Sequence, residues 1–282
     1  MKRIVNARGK DVFITFVRYF LAIVFVMFFI FPYYWTITIS LKTRAQALDP
    51  STFIFKPTLE NYIYVFTAWN LGKYLFNSII VSISTVFLSI ILSLPAAYSL
   101  ARFNFKGKET VAFWMLSLRM LPAMCVVIPL YVIFSLVNLL DTHIVLIIAY
   151  LTFNVPFSVW LLRDFISSIP LEIEEAALID GCSRFSALMR VMLPLLSPGL
   201  AVTAIFCFIQ SWNEFALALF LTGTEAKTLP PALTFFMTSV GVKWGELAAI
   251  SSIVTIPVII FAWLTQKYLI RGLTFGAVRG AH

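Results

Sequence analysis

Arg119 and Glu214 are the side chains best placed to meet a polar solute, because each interrupts an otherwise apolar stretch. Charges at membrane depth are costly, so they pair, face a cavity or sit near the boundary. Arg119 stands in Leu118-Arg119-Met120-Leu121-Pro122, and Glu214 in Trp212-Asn213-Glu214-Phe215. Two readings are open: a structural Arg119–Glu214 ion pair or two groups at the membrane boundary, or an Arg119 that lines a cavity and hydrogen-bonds hydroxyls or an anionic group. Asn154, Gln210, Trp212 and Asn213 are candidates for the same path, and Pro122 and Pro129 would each free a helix carbonyl. This is binding chemistry. Cys125, Cys182 and Cys207 are odd in number and His143 and His282 share no ligand spacing, so no metal site, disulfide framework or catalytic residue is expected. A membrane-embedded enzyme would need a His/Asp/Glu or Cys constellation near an interface.

A second chemical feature is acidic. Residues 164–197 read as a short helix, a glycine break and a second helix ending at proline. Pro170 suits a first turn, and Glu172, Glu174 and Glu175 complement the positive end of the helix dipole. Gly181 supplies a left-handed stop, and Ser183 can cap the second helix. A linker helix lying on the membrane surface would be basic. This one is acidic, and Asp180 at its C-terminal end opposes the dipole. Such a helix is suited to docking in a protein groove.

The elements that position these residues are membrane spans. Of 282 residues, 61% are hydrophobic and 12% charged, against about 25% charged in a soluble domain. The expected fold class is an all-α integral membrane protein of six transmembrane helices, at about 19–41, 74–101, 110–137, 143–163, 198–222 and 246–270. Residues 1–18 read as a cytoplasmic N-tail, 19–270 as the six-helix domain, 223–245 as an external loop and 271–282 as a cytoplasmic C-tail. The first apolar run is too long for a signal peptide and continues into bulky Tyr33, Tyr34 and Trp35. Fourteen Lys and Arg flank the spans on the side of the termini and six on the other, which places both termini and the 164–197 loop in the cytoplasm. The net charge of +8 thus orients helices, and nucleic acid is not an expected partner.

Glu175-Ala176-Ala177, three residues, Gly181, nine residues and Val191-Met192-Leu193-Pro194 resemble the EAA signature of ABC-importer permeases. The departure is Val191, where that signature has isoleucine. Leu41-Lys42-Thr43, Asn61-Tyr62, Asn77-Ser78, the run Ala96–Phe103 and Trp212–Phe215 are similar to carbohydrate permeases, and the ending Gly272–Gly280 is similar to the smaller permease of the maltose-transporter type. The resemblance implies a type I ABC importer permease fold and import of a sugar or sugar-like solute by alternating access, without catalysis in this chain. It implies a homologous second permease subunit, a dimeric ATP-binding subunit and an extracytoplasmic solute-binding protein, in a bacterial inner membrane. No cofactor is expected on this chain; ATP and Mg belong to the ATPase. Glu175 would contact that ATPase, Ala176 and Ala177 would permit close approach, Gly181 would turn the chain, Asp180 is a second polar contact, and Leu193 and Pro194 close the signature. The C-tail would reach between ATPase subunits, or is a frayed end; 223–245 would probe the binding protein, or is a connecting loop. The alternatives are an ABC permease for a non-carbohydrate solute and an ion-coupled secondary transporter, which usually shows internal repeats.

Overall fold

The computed structural model describes residues 2–49, 51–238 and 241–277, with side chains described from 13 to 264, apart from those gaps, and at 266. In chain order the elements are α1 (Lys2–Ser40), α2 (Arg44–Ala47), α3 (Glu60–Ala68), α4 (Leu71–Arg102), α5 (Lys108–Leu118), α6 (Ala123–Leu136), α7 (His143–Ser168), α8 (Leu171–Ile179) and α9 (Arg184–Ala187). A π-helical turn, Leu188–Met192, leads into α10 (Leu193–Leu195), α11 (Ser197–Trp212), α12 (Ala216–Leu221) and α13 (Leu229–Ala232). A 3-10 turn, Leu233–Phe236, precedes the strands β1 (Met237–Thr238) and β2 (Gly241–Val242), which pair antiparallel, and α14 (Trp244–Ala277) follows.

Four helical stretches are long and apolar enough to cross a membrane: Phe13–Ser40, Leu71–Arg102, His143–Ser168 and Trp244–Leu264. Two bent pairs raise the number to six. The third expected span is not one helix: α5 and α6 meet at 91° across Arg119–Pro122, where Pro122 has no N–H to continue α5. Pro129 lies inside α6, which continues through it, and having no N–H it removes one intrahelical bond, as expected. The fifth expected span, 198–222, stops at Trp212 and resumes at Ala216, and its first helix is bent by 79° from Arg184–Leu195. Residues 2–18, within the expected N-tail, are helical and continuous with the first span, since α1 runs from Lys2. The C-terminal segment starts as a continuation of α14 to Ala277; residues 278–282, and the tail's side chains, lie outside the described residues.

The chain forms two compact units. In the first, residues 1–69 and 233–255, Asn61 ties α3 to the end of α1 by donating to the carbonyls of Ser40 (2.8 Å) and Lys42 (2.7 Å). Lys42 is buried, with its ammonium 5.4 Å from the Trp35 ring and 5.3 Å from that of Phe55.

In the second unit, residues 70–232 and 256–282, α4 and α7 pack along their length and α11 packs on both. The buried face of α4 carries Ser78, Ser82, Thr85, Ser89 and Ser93, a helical spacing of small side chains that lets neighbouring backbones approach. Leu94, Ala97, Leu162, Ile166 and Met192 build the core toward the Arg102 end, and Val81, Val145, Leu146, Tyr150 and Leu217 build it toward the other. Gly199 of α11 is pressed on Phe165 of α7: a Cβ there would lie 2.5 Å from the ring's Cγ. Gly199→Ala should therefore destabilise the bundle by ~1–3 kcal/mol through overpacking. Thermal unfolding in detergent reads this as a lowered midpoint, and an unchanged midpoint would contradict the contact.

Candidate functional site

The α5–α6 and α11–α12 breaks open on one cavity of the second unit. It has a volume of about 400 Å³ and is bordered by Arg119, Asn154, Gln210, Asn213 and Glu214, with Tyr150 and Phe153 among the apolar walls. That volume falls in the range of small-ligand sites. Five of the six residues expected along a solute path thus meet in one place. Trp212 does not: it is buried and stacks on Phe208 at 5.5 Å, because its position in the last turn of α11 points it into the bundle.

Arg119 sits at the C-terminus of α5, half-buried, and donates from Nη1 to Gln210 Oε1 at 3.3 Å. Its guanidinium lies 3.9 Å from the Phe157 ring centroid, a cation–π contact of the kind worth ~2 kcal/mol when desolvated. Of the readings left open for Arg119 and Glu214, the ion pair does not form among the described residues. Glu214 is occupied locally: its carboxylate accepts from the backbone N–H of Leu217 (3.1 Å) and Ala218 (3.2 Å), capping α12 after the break. Asn154 is 2% exposed and donates from Nδ2 to the Tyr150 carbonyl (2.9 Å) and Ser211 Oγ (3.2 Å). Its Oδ1 is buried and has no donor among the described groups.

The acidic loop is built as its caps suggest. In α8 the chain turns at Gly181 with φ +89°, and the N–H groups of Gly181 and Cys182 bond back to Leu178 and Ala177, a Schellman closure. Ser183 caps α9 by accepting from Ser186 N at 3.2 Å. Glu175, Ala176, Asp180, Gly181 and Pro194 are exposed, with Ile179 85% and Phe185 73% exposed on the same loop. Ala177, expected to ease the approach of a partner, is instead 7% exposed and faces the chain's own bundle, and Leu193 packs on the core.

The residue that sequence reasoning passed over is Glu174. It is 1% exposed, and its two carboxylate oxygens are both used: Tyr98 Oη donates to Oε1, and Arg102 Nε donates to Oε2 at 2.8 Å. Arg102 Nη2 also donates to the Ile169 carbonyl at 2.9 Å, and Arg184 Nη1 lies 4.0 Å from Oε1. An ion pair this dry is strongly destabilising when one partner is removed, at about 3–5 kcal/mol. Only the run Glu174-Glu175 hinted at it, since adjacent helical residues cannot share a face.

The first part of the 223–245 segment is folded down: residues 223–225 are exposed and 226–232 are buried. Asp141 accepts from the backbone N–H groups of Thr224 (3.0 Å), Glu225 (3.1 Å) and Ala226 (3.0 Å). Asn77 donates to the carbonyls of Glu225 (2.8 Å) and Lys227 (2.9 Å), while its Oδ1 lies 2.8 Å from His143 Nε2. Ser78 Oγ accepts from Leu229 N at 2.7 Å. Burial raises the Asp141 carboxyl, and the backbone donors of Ala226, Glu225, Thr224 and Gly223 outweigh it, holding it below its ordinary value. In the first unit, Met237, Thr238 and Gly241 of the small hairpin are exposed.

The family described as "Binding-protein-dependent transport system inner membrane component" matches residues 89–275. The chain is 38% identical over 252 residues to "Probable ABC transporter permease protein y4oR" of Sinorhizobium fredii, covering 89% of this chain and 91% of that one. It is 36% identical over 262 residues to "Diacetylchitobiose uptake system permease protein DasC" of Streptomyces coelicolor, covering 92% and 95%. In fold it is similar to a chain of a bacterial ABC transporter involved in the import of the acidic polysaccharide alginate, with TM-score 0.77, 24% identity, and 92% and 97% of the two chains covered.

Because the folded-state pKa of Asp141 is lowered, its stabilisation is complete above the ordinary carboxylate range and is lost as pH falls through the folded value. The protection factors of the Thr224–Ala226 amides, that is, exchange relative to the intrinsic rate at each pH, should therefore fall in acid. Asp141→Ala should remove the protection at neutral pH by about tenfold or more, as hydrogen bonds to a charged group are worth ~1.5–3 kcal/mol. Equal protection in the variant would show that the segment is held by other contacts.

Proposed function

The chain belongs to the family of binding-protein-dependent transport system inner membrane components, and on that footing we propose that it passes a sugar or sugar-like solute across the membrane by alternating access. It is a multi-pass permease subunit of an ABC transporter. The observation that carries the solute reading is the cavity at the two helix breaks. Arg119 supplies donors, Gln210, Asn213 and Glu214 bring further polar groups, and Phe153 and Tyr150 complete the wall with aromatic rings. Paired donors, acceptors and apolar walls match a polyhydroxylated ring better than a fully charged or fully apolar solute. The diacetylchitobiose uptake relative supports the same solute class.

The 164–197 loop is the ATPase-coupling element in this reading. Its exposed acidic and apolar face, with Glu175, Asp180 and Ile179, offers a partner both polar contacts and an apolar anchor. The chain itself does no catalysis; a dimeric ATP-binding subunit binds ATP and Mg and hydrolyses the nucleotide. A homologous permease subunit completes the pore, and an extracytoplasmic binding protein delivers solute on the side of Asp141 and the 223–245 segment. The termini and the coupling loop face the cytoplasm, as the distribution of Lys and Arg supports.

The complex, expressed with its neighbouring ATPase and binding protein, should take up a sugar in proteoliposomes with ATP as the sole energy source. Uptake that persists without ATP and collapses with an ion gradient would favour an ion-coupled carrier, and a binding protein stabilised only by non-sugar ligands would overturn the solute class. Glu175→Ala should abolish uptake while membrane insertion is retained; normal uptake would refute the loop's role. Arg119→Ala should raise the KM for uptake by about tenfold or more, the cost of losing charged hydrogen bonds. An unchanged KM would remove Arg119 from the path.

A further inference from the structure

The exposed Glu175 explains how a partner is touched, but a contact transmits force only if the loop is fixed to the helices it must move. Besides Glu174, α8 buries only the small Ala177, and an apolar contact between helices tolerates small sliding displacements. Glu174 is the exception. It reaches back from α8 to α4, across 76 residues to Tyr98 and 72 to Arg102. Both carboxylate oxygens are bonded, which fixes the direction of the side chain as well as its distance. The Arg102 guanidinium then reaches on to the Ile169 carbonyl, so a single cation grips both the entry to α8 and its first turn.

A buried ion pair is a poor way to gain stability, since apolar replacements of similar volume are often as stable. What it does supply is a unique register. The helix it grips is also packed against much of the second unit. α4 packs along α7 and against α11, and those helices carry Asn154, Gln210 and Ser211 to the cavity. At its other end α4 holds the external segment through Asn77 and Ser78. From Asn77 to Tyr98 the helix rises about 32 Å at ~1.5 Å per residue, the thickness of the hydrocarbon core.

We propose that Glu174 is a positioning residue that locks the 164–197 loop to α4 through Tyr98 and Arg102, so that displacement of the loop moves α4 and, with it, the cavity walls. This rests on the coupling reading of the loop, but assigns the transmission to a residue that faces away from the partner. Glu175 receives the push; Glu174 passes it on.

The test uses the full transporter in proteoliposomes and reads solute taken up per ATP hydrolysed. Glu174→Gln keeps the shape and loses the charge. The ATPase should still co-purify and hydrolyse ATP, because the exposed face is untouched, while uptake per ATP falls about twofold to thirtyfold, the span expected of a residue that modulates coupling. Tyr98→Phe, which leaves the Arg102 bond, should give a smaller loss in the same ratio. If Glu174→Gln does not accumulate, the double variant Glu174→Gln, Arg102→Gln removes both charges together and is read in the same way. An unchanged ratio in whichever variant accumulates, or loss of the ATPase from it, would overturn the proposal. A wild-type chain that fails to co-purify with the ATPase would instead defeat the coupling reading itself.

Discussion

Backbone N–H and C=O groups at membrane depth have no water to bond, so a helix can stop there only where something replaces its lost hydrogen bonds. The chain meets this requirement twice in the second unit. At Arg119–Leu121 the last turn of α5 tightens, with i to i−3 bonds from Arg119, Met120 and Leu121, before Pro122 redirects the chain. At Asn213–Phe215 the carboxylate of Glu214 supplies the acceptors that the first N–H groups of α12 lack. Irregular backbone of this kind is tolerated where it lines a cavity, and both breaks border the same one. The breaks open the space, and the space accommodates the breaks.

Around that cavity the polar interactions that matter are few and long-range in sequence. Glu174 joins the loop to α4, Asn77 and Ser78 join α4 to residues 225–229, and Asp141 gathers the amides of 224–226. Each is a directional bond set into apolar packing. Dispersion and lipid exclusion hold helices together but discriminate weakly among registers, whereas a carboxylate with both oxygens bonded accepts one register only. This division of labour suits a subunit that has to move as a body. The apolar faces give cohesion, and the polar joints say which pieces travel together.

Much of this was legible in the residue order. Composition and run length give the membrane class, and the spacing of Pro170, Gly181, Ser183 and Pro194 gives the helix–turn–helix loop with its left-handed glycine. The intramembrane polar set led to the cavity, because a polar group at such depth needs a reason to be there. The misreadings share one origin. Periodicity placed single helices over 110–137 and 198–222, since apolar runs look alike whether or not they bend, and residue order could not decide between an Arg119–Glu214 ion pair and a cavity-lining Arg119. Arg119 found Gln210 and Phe157 instead, and Glu214 found backbone.

The one-dimensional sequence determined that this chain lives in a membrane, that residues 171–181 form a capped acidic helix, and that their glycine must turn. It did so because those properties depend on hydrophobicity and on local backbone geometry. Tertiary structure alone decided which of the adjacent acids faces inward, that Ala177 packs on the chain's own bundle, and that the segment after Gly223 is bound down by Asp141 and Asn77. A nine-residue helix has no inside or outside until partners some seventy residues away arrive against it, and a buried carboxylate is stable only once they do.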